Sequence, residues 1–274
     1  MREKLQINTS LVREVLLRFI HDEVTRTGLT KGIVGLSGGI DSSLIAYLAA
    51  EALGPASVLG VRMPYRRSSQ ESLDHAQLVT DALGIQQETV DITPMVDPLI
   101  ERFPEMDQVR SGNIMSRQRM IILYDQSAAF GGLVIGTSNK TEALLGYSTL
   151  FGDSAAAMQP IADLYKMQVR QLAREMGVPP EIINKPPSAD LWPGQTDEDE
   201  IGFSYDNADQ LLFAIIDLRY SPEEAVKMGF PQAFVERVLT LVRRSHYKRR
   251  MPIIAKLSNR SIGHDFLYLR DWGT

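Results

Sequence analysis

The sequence of 274 residues contains no cysteine. This absence excludes disulfide bonds, a zinc site built on thiolates and a cysteine nucleophile. Long apolar runs are also missing, since none approaches the roughly 20 residues that a membrane-spanning helix requires. The first residues, Met1–Asn8, carry charges where a secretion signal needs an apolar stretch. We therefore expect a cytoplasmic protein with no membrane partner.

Positive charge is also scarce, with 29 basic against 34 acidic residues and a formal net charge of −5. Nucleic-acid binding relies on an excess of positive charge that neutralises phosphates. The charge balance therefore argues against a nucleic-acid partner. A hydrophobic content of 44% and a charged content of 23% are ordinary for a globular protein and sufficient for a sizeable core. We expect a single domain over residues 1–274.

Strand and helix patterns alternate along the chain, which predicts an α/β fold with a doubly wound parallel sheet. Apolar and β-branched runs predict strands at 33–36, 57–64, 87–92 and 133–136. Helical spacing or helix-forming composition predicts helices at 10–27, 42–53, 70–83, 95–103, 114–130 and 166–176. The segment between 139 and 160 is rich in Gly, Ser and Asn and is expected to be an ordered active-site loop. A Pro- and acid-rich stretch, about 185–201, predicts a mobile flap, and a helical C-terminal part covers about 206–274.

The turn after the first strand has the composition of a phosphate cradle. A strand that feeds a glycine turn at a helix N-terminus points backbone amides at an anion, and the helix dipole favours negative charge. Gly38 and Gly39 permit close approach, the hydroxyls of Ser37, Ser42 and Ser43 can donate, and Asp41 can hold a Mg²⁺ that bridges phosphate oxygens. No Gly-Lys-Ser/Thr and no G-x-G-x-x-G is present, which excludes the two commonest nucleotide motifs. A tight connection is the alternative reading of the glycine pair alone.

A second strand end adds polar groups that suit the same ligand. Thr137 supplies a hydroxyl and Glu142 a carboxylate, and Asp41 and Glu142 on adjacent strand ends could share a metal-bound triphosphate. Arg117 and Arg119 suit carboxylate or phosphate recognition. Taken alone, Glu142 would be a surface acid and the arginines a solvated helix face.

Three further features have two readings each. The cations of Arg243–Arg250 either complement the dipole at a helix C-terminus or contact a substrate phosphate. Asp197–Glu200 is predicted to be an acidic solvated loop, and a metal site is the alternative interpretation. Trp192 is either a lid residue or a packing residue.

Seven motifs in order carry a family resemblance. The hexapeptide Ser37–Ser42 resembles the PP-loop of the ATP pyrophosphatase superfamily. Together with the motifs that follow it, over about residues 10–260, it resembles the NAD⁺ synthetase family. Those motifs are Asn113–Met120, Gly136–Glu142, Gly152-Asp153, Asp163–Lys166, Lys185–Leu191 and Gln195–Glu198.

The resemblance implies that ATP adenylates the carboxylate of nicotinic acid adenine dinucleotide (deamido-NAD), that pyrophosphate leaves with Mg²⁺ assistance, and that ammonia attacks the acyl adenylate. It implies a catalytic group of Asp41, Glu142 and Lys166, with Mg²⁺ on the two carboxylates. ATP contacts would come from Ser37, Gly38, Gly39, Asp41, Ser42, Ser43, Thr137, Lys166 and Ser188. Contacts to deamido-NAD would come from Arg117, Asp153, His246, Tyr247 and Lys248. It also implies a homodimer, for which the N-terminal amphipathic helix is a candidate surface.

The chain departs from the family pattern in the substrate loop and near its C-terminus. Leu150 and Ala157 stand where many members carry lysine and aspartate, and Tyr247-Lys248 replaces a His-Lys pair. Because both common glutamine-hydrolysing domains use a cysteine nucleophile, nitrogen must come from free ammonia or from a separate subunit. Another PP-loop adenylating ligase, a sulfurtransferase on a pyridine nucleotide and a catalytically silent nucleotide-binding subunit stay open as alternatives.

Overall fold

A parallel four-stranded sheet lies at the centre of the computed structural model, which describes residues 1–192 and 194–262. Its strands are β1 (Gly32–Gly35), β2 (Val58–Arg62), β3 (Gln86–Thr89) and β4 (Leu133–Val134), in the order β3-β2-β1-β4. Gly32 pairs with Val58 on one side and with Leu133 on the other. The strand that precedes the glycine turn is therefore flanked by the strand that precedes Glu142.

Helices cover both faces of the sheet, which confirms the predicted doubly wound α/β fold. In chain order they are α1 (Thr9–Thr25), α2 (Ile40–Leu53), α3 (Gln70–Leu83), α4 (Thr93–Glu101), α5 (Gln108–Phe130), α6 (Lys140–Leu145), α7 (Lys166–Glu175), α8 (Pro180–Asn184), α9 (Asp197–Ile201), α10 (Tyr205–Leu212), α11 (Pro222–Lys227) and α12 (Gln232–Arg244). Adjacent residues of β1 pack into different cores on the two faces of the sheet. Val34 packs in a core with α1, α2 and α7, whereas Ile33 packs in a core with α4 and α5.

The C-terminal helices form a third core beside the sheet. Tyr205, Leu211 and Val235 are fully buried there against Tyr165, the residue that immediately precedes α7. A π-helical turn, Phe213–Asp217, continues α10. The predicted helical part is therefore present as far as Arg249, where a short 3₁₀ turn ends. Residues 251–261 run as turns and irregular chain, and 263–274 lie outside the described residues.

Several element boundaries differ from the sequence prediction, and side-chain caps account for the start of two helices. Helix α5 begins at Gln108 rather than 114, since the Asp107 side chain accepts a hydrogen bond from the backbone of Arg110. The expected loop after residue 139 contains α6, which opens with a capping box between Asn139 and Glu142. Strand β4 ends at Val134, and Ile135 then forms an isolated bridge with Met158.

No helix within the described residues is both long and apolar enough to cross a membrane. The cytoplasmic location expected from the sequence stays a prediction, as does the single domain over 1–274.

Candidate active site

A cavity of about 800 Å³ opens at the carboxyl ends of the parallel strands. The glycine turn after β1 and the segment after β4 form its floor. Helix α5, the loop around Ser148 and the flap segment 185–201 form its walls. The location agrees with the rule that open α/β sheets bind ligands beyond their strand ends.

The glycine turn is shaped by a close backbone approach. Gly38 has φ +75°, and a Cβ atom built there would lie 2.1 Å from the carbonyl oxygen of Ser72. Only glycine therefore fits at this position. Both Ser42 and Ser43 donate their hydroxyls to the carbonyl oxygen of Gly39, at 3.0 and 2.8 Å. These bonds hold the turn at the N-terminus of α2, where its backbone amides suit an anion.

The seryl and glycyl residues of the turn divide between contact and support. Ser37, Gly39, Asp41 and Ser42 line the cavity. Ser43 is buried and its hydroxyl bond closes the turn from behind, so its position suits support of the cradle rather than direct contact.

Lys166 joins the two predicted metal-binding carboxylates. Its Nζ atom lies 2.5 Å from Asp41 Oδ2 and 3.1 Å from Glu142 Oε1. Asp41 extends from the first turn of α2 and Glu142 from the first turn of α6, which follow neighbouring strands. The structure thus brings together all three residues that the sequence assigned to catalysis.

Asn139 fixes both carboxylates and was given no role by the sequence. Its Nδ2 donates to Asp41 Oδ1 at 2.9 Å, and its Oδ1 accepts the backbone N–H of Glu142 at 3.0 Å. The side chain of Glu142 in turn accepts the backbone N–H of Asn139 at 3.3 Å. The signal that could have found it is the spacing Asn-x-x-Glu, which is that of a capping box.

Burial sets the electrostatics of this group. Burial raises the pKa of Glu142 above its usual range, Asp41 adds to the increase, and Lys166 opposes it. Burial acts to lower the pKa of Lys166, but the charges of Asp41 and Glu142 outweigh it and hold that pKa above its usual range. Lys166 therefore stays a cation at neutral pH.

The flap segment closes one side of the cavity with polar contacts. Asp190 accepts the backbone N–H of Ser69 at 3.0 Å, and Lys185 Nζ lies 3.3 Å from a carboxylate oxygen of Glu71. Ser188 lines the cavity together with Thr137, as expected for two ATP contacts. Its hydroxyl also accepts the backbone N–H of Asp190 at 3.0 Å.

The acidic stretch 197–200 is only in part the solvated loop that the sequence favoured, since it forms α9 and leaves Asp199 and Glu200 exposed but buries Asp197. Asp197 is 5% exposed and lines the cavity, and burial raises its pKa. Its Oδ2 atom accepts the hydroxyl of Tyr205 at 3.2 Å, while its Oδ1 atom has no hydrogen-bond partner among the described residues. Glu200 also lines the cavity and accepts the hydroxyl of Tyr147. Sequence reasoning missed Asp197 because acidic side chains in a short helix are usually exposed.

The residues assigned to deamido-NAD divide into two groups. Asp153 and Lys248 border the cavity. Arg117, His246 and Tyr247 are exposed and lie outside it, and Arg117 Nε donates to the carbonyl oxygen of Leu150 at 3.3 Å.

The second arginine of the pair lies inside. Arg119 lines the cavity and donates through Nε to the carbonyl oxygen of Met63 at 3.0 Å, just beyond the end of β2. Burial lowers its pKa to about 10, so it remains charged near neutral pH.

The C-terminal cations mostly complement helix ends. Arg249 donates to the carbonyl oxygens of Ala143 and Leu144 in α6 and of Val242 in α12. Lys248 donates to the carbonyl oxygens of Gly146 and Ser148. The helix-end reading of the basic segment therefore holds for these two residues.

Comparison with known proteins identifies the arrangement. A family model described as NAD synthase matches residues 12–252. The chain belongs to the NAD synthase family. Curated relatives in this family include the NH(3)-dependent NAD(+) synthetase of Trichlorobacter lovleyi, 55% identical over 270 residues that cover 98% of this chain and 99% of the relative. The corresponding enzyme of Chlorobium phaeovibrioides is 52% identical over 270 residues, 98% of each chain.

Solved structures agree with the NAD synthase fold. The NMN synthetase from Francisella tularensis superposes with a TM-score of 0.82 at 31% identity, over 92% of this chain and all of that one. The NH3-dependent NAD synthetase from Campylobacter jejuni, in complex with the nitrate ion, gives 0.79 at 30% identity with the same coverage. The departures at Leu150 and Ala157 fall outside the residues that line the cavity of this chain.

Proposed function

We propose that this chain is a ligase that forms NAD⁺ from deamido-NAD by ATP-dependent amidation, with ammonia as nitrogen donor and AMP and pyrophosphate as products. The observation that carries the proposal is the meeting of Asp41, Glu142 and Lys166 above a glycine turn at the carboxyl ends of β1 and β4. Membership of the NAD synthase family and full-length relatives named NH(3)-dependent NAD(+) synthetase support it.

The chemistry requires a nucleotidyl transfer followed by an acyl transfer, both with little acid–base help. In the first step a carboxylate oxygen of deamido-NAD attacks the α-phosphorus of ATP, and the bond to pyrophosphate breaks. In the second step ammonia attacks the acyl carbon, a C–N bond replaces the C–O bond to AMP, and the nitrogen releases one proton. Positioning and charge neutralisation carry both steps. The turn amides hold phosphate, and Lys166 offers a fixed cation to the triphosphate.

The two carboxylates fit a Mg²⁺ ion that travels with ATP. Nucleotide sites usually hold Mg²⁺ by one or two carboxylates, with phosphate oxygens and water completing its coordination. Asp41 and Glu142 supply such a pair, and no cluster of three or more metal-ligating side chains occurs within the described residues. Bound there, the ion would neutralise charge on the departing pyrophosphate.

A homodimer that borders the dinucleotide site is part of the proposal. Exposed apolar side chains lie on α1, where Leu11 and Val15 point outward, and on α5, where Ile121 and Tyr124 do so. Helix α5 also carries Arg117, whose exposed side chain lies outside the cavity of its own chain. An interface on the exposed face of α5 would therefore lie beside the substrate, and we favour it over an interface on α1. Light scattering on the wild type and on Tyr124→Glu tests this, because loss of a dimer is expected only if α5 lies in the interface.

The activity is tested with the purified chain, ATP, Mg²⁺ and ammonium chloride. Deamido-NAD should trigger stoichiometric release of pyrophosphate and formation of NAD⁺, read by a coupled dehydrogenase. Replacing deamido-NAD by its mononucleotide, or by other carboxylates, should give much slower release. Pyrophosphate release triggered by a different acid would favour another adenylating ligase, and no release with any acid would favour a silent nucleotide-binding protein.

A further inference from the structure

A fully buried carboxylate outside the cavity connects two helices of the site. Asp209 lies on α10 in the C-terminal helical layer, and its exposed fraction is 0%. No motif of the sequence includes it. Burial raises the pKa of Asp209 to about 6, against an ordinary value of 3.8. A buried carboxylate is strongly destabilising unless hydrogen bonds replace the water molecules that it loses on burial.

Both oxygens of this carboxylate are used by the first turns of α6 and α7. The hydroxyl of Thr141 donates to Asp209 Oδ1 at 2.5 Å, and the backbone N–H of Met167 donates to Asp209 Oδ2 at 2.7 Å. The hydroxyl of Thr141 also accepts the backbone N–H of Lys166 at 3.0 Å. Three hydrogen bonds thus link α6, α7 and α10 around one carboxylate.

The residues that Asp209 holds are the sequence neighbours of the catalytic group. Thr141 precedes Glu142, and Met167 follows Lys166. The contact of Lys166 Nζ with Glu142 Oε1, 3.1 Å long, depends on how the first turns of α6 and α7 are set against each other. The dipole of α7 also favours the anion, because Asp209 accepts a backbone N–H in the first turn of that helix.

We propose that Asp209 is a positioning residue, which acts through Thr141 and the backbone of α7 to place Glu142 and Lys166 for binding of metal–ATP. It lies outside the cavity and contacts neither reacting group. The proposal rests on the amidation reaction proposed above, because that reaction assigns work to Glu142 and Lys166.

Asp209→Asn tests the proposal with a nearly isosteric side chain. An asparagine has one acceptor oxygen, so it cannot satisfy the donors of both Thr141 and Met167. We expect kcat to fall at least tenfold while the KM for ammonia changes less than threefold. The affinity for Mn²⁺ in the presence of a non-hydrolysable ATP analogue, measured by electron paramagnetic resonance, should weaken at least fivefold.

Asp206→Asn is the matched control. It removes the same charge from the same helix, but Asp206 is partly exposed and pairs with Arg170 and Arg2. Both kcat and Mn²⁺ affinity should stay within twofold of the wild type. If Asp209→Asn lowers the melting temperature yet leaves both readouts within twofold, Asp209 only stabilises the fold and the proposal is wrong.

Two variants of Thr141 test the proposed positioning role if Asp209→Asn does not fold. Thr141→Ser keeps the hydroxyl and should retain kcat within threefold, whereas Thr141→Val removes it and should reproduce the tenfold loss. Wild-type kcat in Thr141→Val would overturn the proposal. If the wild type forms no NAD⁺ but its Mn²⁺ affinity still depends on Asp209, the proposed reaction fails and the positioning role stands.

Discussion

Single residues decide the charge balance of the site. One cation, Lys166, lies between two carboxylates that would otherwise repel each other in a buried environment. Lys166 is 2% exposed, so its charge is weakly screened by solvent. Loss of Lys166 would therefore leave two buried carboxylates without their cation, and loss of either carboxylate would leave Lys166 with one partner instead of two.

Asp41→Ala should nearly abolish pyrophosphate release, because it removes a carboxylate that contacts Lys166 and is proposed to hold Mg²⁺. A loss of at least about 100-fold in kcat, about 2.7 kcal/mol, is expected. Asp163→Ala is the control, since that carboxylate is 95% exposed, and it should retain wild-type activity. Activity of Asp41→Ala within about tenfold of the wild type would contradict the assignment.

Glu142→Gln should resemble Asp41→Ala and recover partly at high Mg²⁺.

The raised pKa of Asp209 makes stability depend on pH. Between the ordinary value of 3.8 and about 6, the folded state binds more protons at this group than the unfolded state does. The free energy of unfolding therefore falls as pH rises through this window, by at most about 3 kcal/mol. Chemical denaturation at pH 4.5, 5.5 and 6.5 should show this fall in the wild type and a smaller one in Asp209→Asn. Equal slopes in the two proteins would contradict the shift.

At the scale of elements, short helices are aligned by their caps. Helix α6 has only six residues, and such a helix is marginal without tertiary support. Its capping box places Glu142, and the same Asn139 side chain reaches Asp41 of α2. One cap thus sets the relative position of two helices that start at neighbouring strands.

Asn139→Ala should reduce both stability and activity. Loss of the cap is expected to lower the free energy of unfolding by about 1 kcal/mol, and loss of the Asp41 contact should reduce kcat severalfold. Ser221→Ala is a matched control, because Ser221 caps α11 with the same type of capping box and is not among the residues that line the cavity. It should show a similar change in stability with unchanged kcat. Equal kcat in both variants would mean that the Asn139 cap acts on stability alone.

At the scale of the whole molecule, the absence of cysteine from the sequence limits the nitrogen source. Product formation at fixed total ammonium should rise with pH, because NH₃ and not NH₄⁺ is the nucleophile. The KM expressed as free NH₃ should stay constant across the same pH range. Glutamine should be inert with the isolated chain, because a glutaminase of either common type needs a cysteine nucleophile. Efficient turnover with ammonia-free glutamine would contradict the prediction that the isolated chain uses free ammonia.

The sequence by itself determined the local features of this protein. Each of these features follows from a short stretch of neighbouring residues. They are the glycine turn, the helices 70–83 and 166–176 and the alternation of strands and helices. The cradle at Ser37–Ser42 and the absence of a cysteine nucleophile needed no folded structure either. Local features sufficed to place the chain in an α/β fold and to select the candidates Asp41 and Glu142, whereas Lys166 was selected by the resemblance to the NAD⁺ synthetase family.

Only the tertiary structure decided which of these groups meet. Lys166 contacts Asp41 across 125 positions of the sequence. The chain reaches α7 from Met158, which bridges to Ile135 just beyond β4, and β4 lies beside β1 in the sheet. Helix phase places Arg119 at the cavity and Arg117 outside it, although the two are only two positions apart. Burial also made functional candidates of Asp197 and Asp209, which sequence patterns alone present as ordinary surface acids. The physical reason is that hydrogen bonds and desolvation across distant segments exist only once the sheet order brings those segments together.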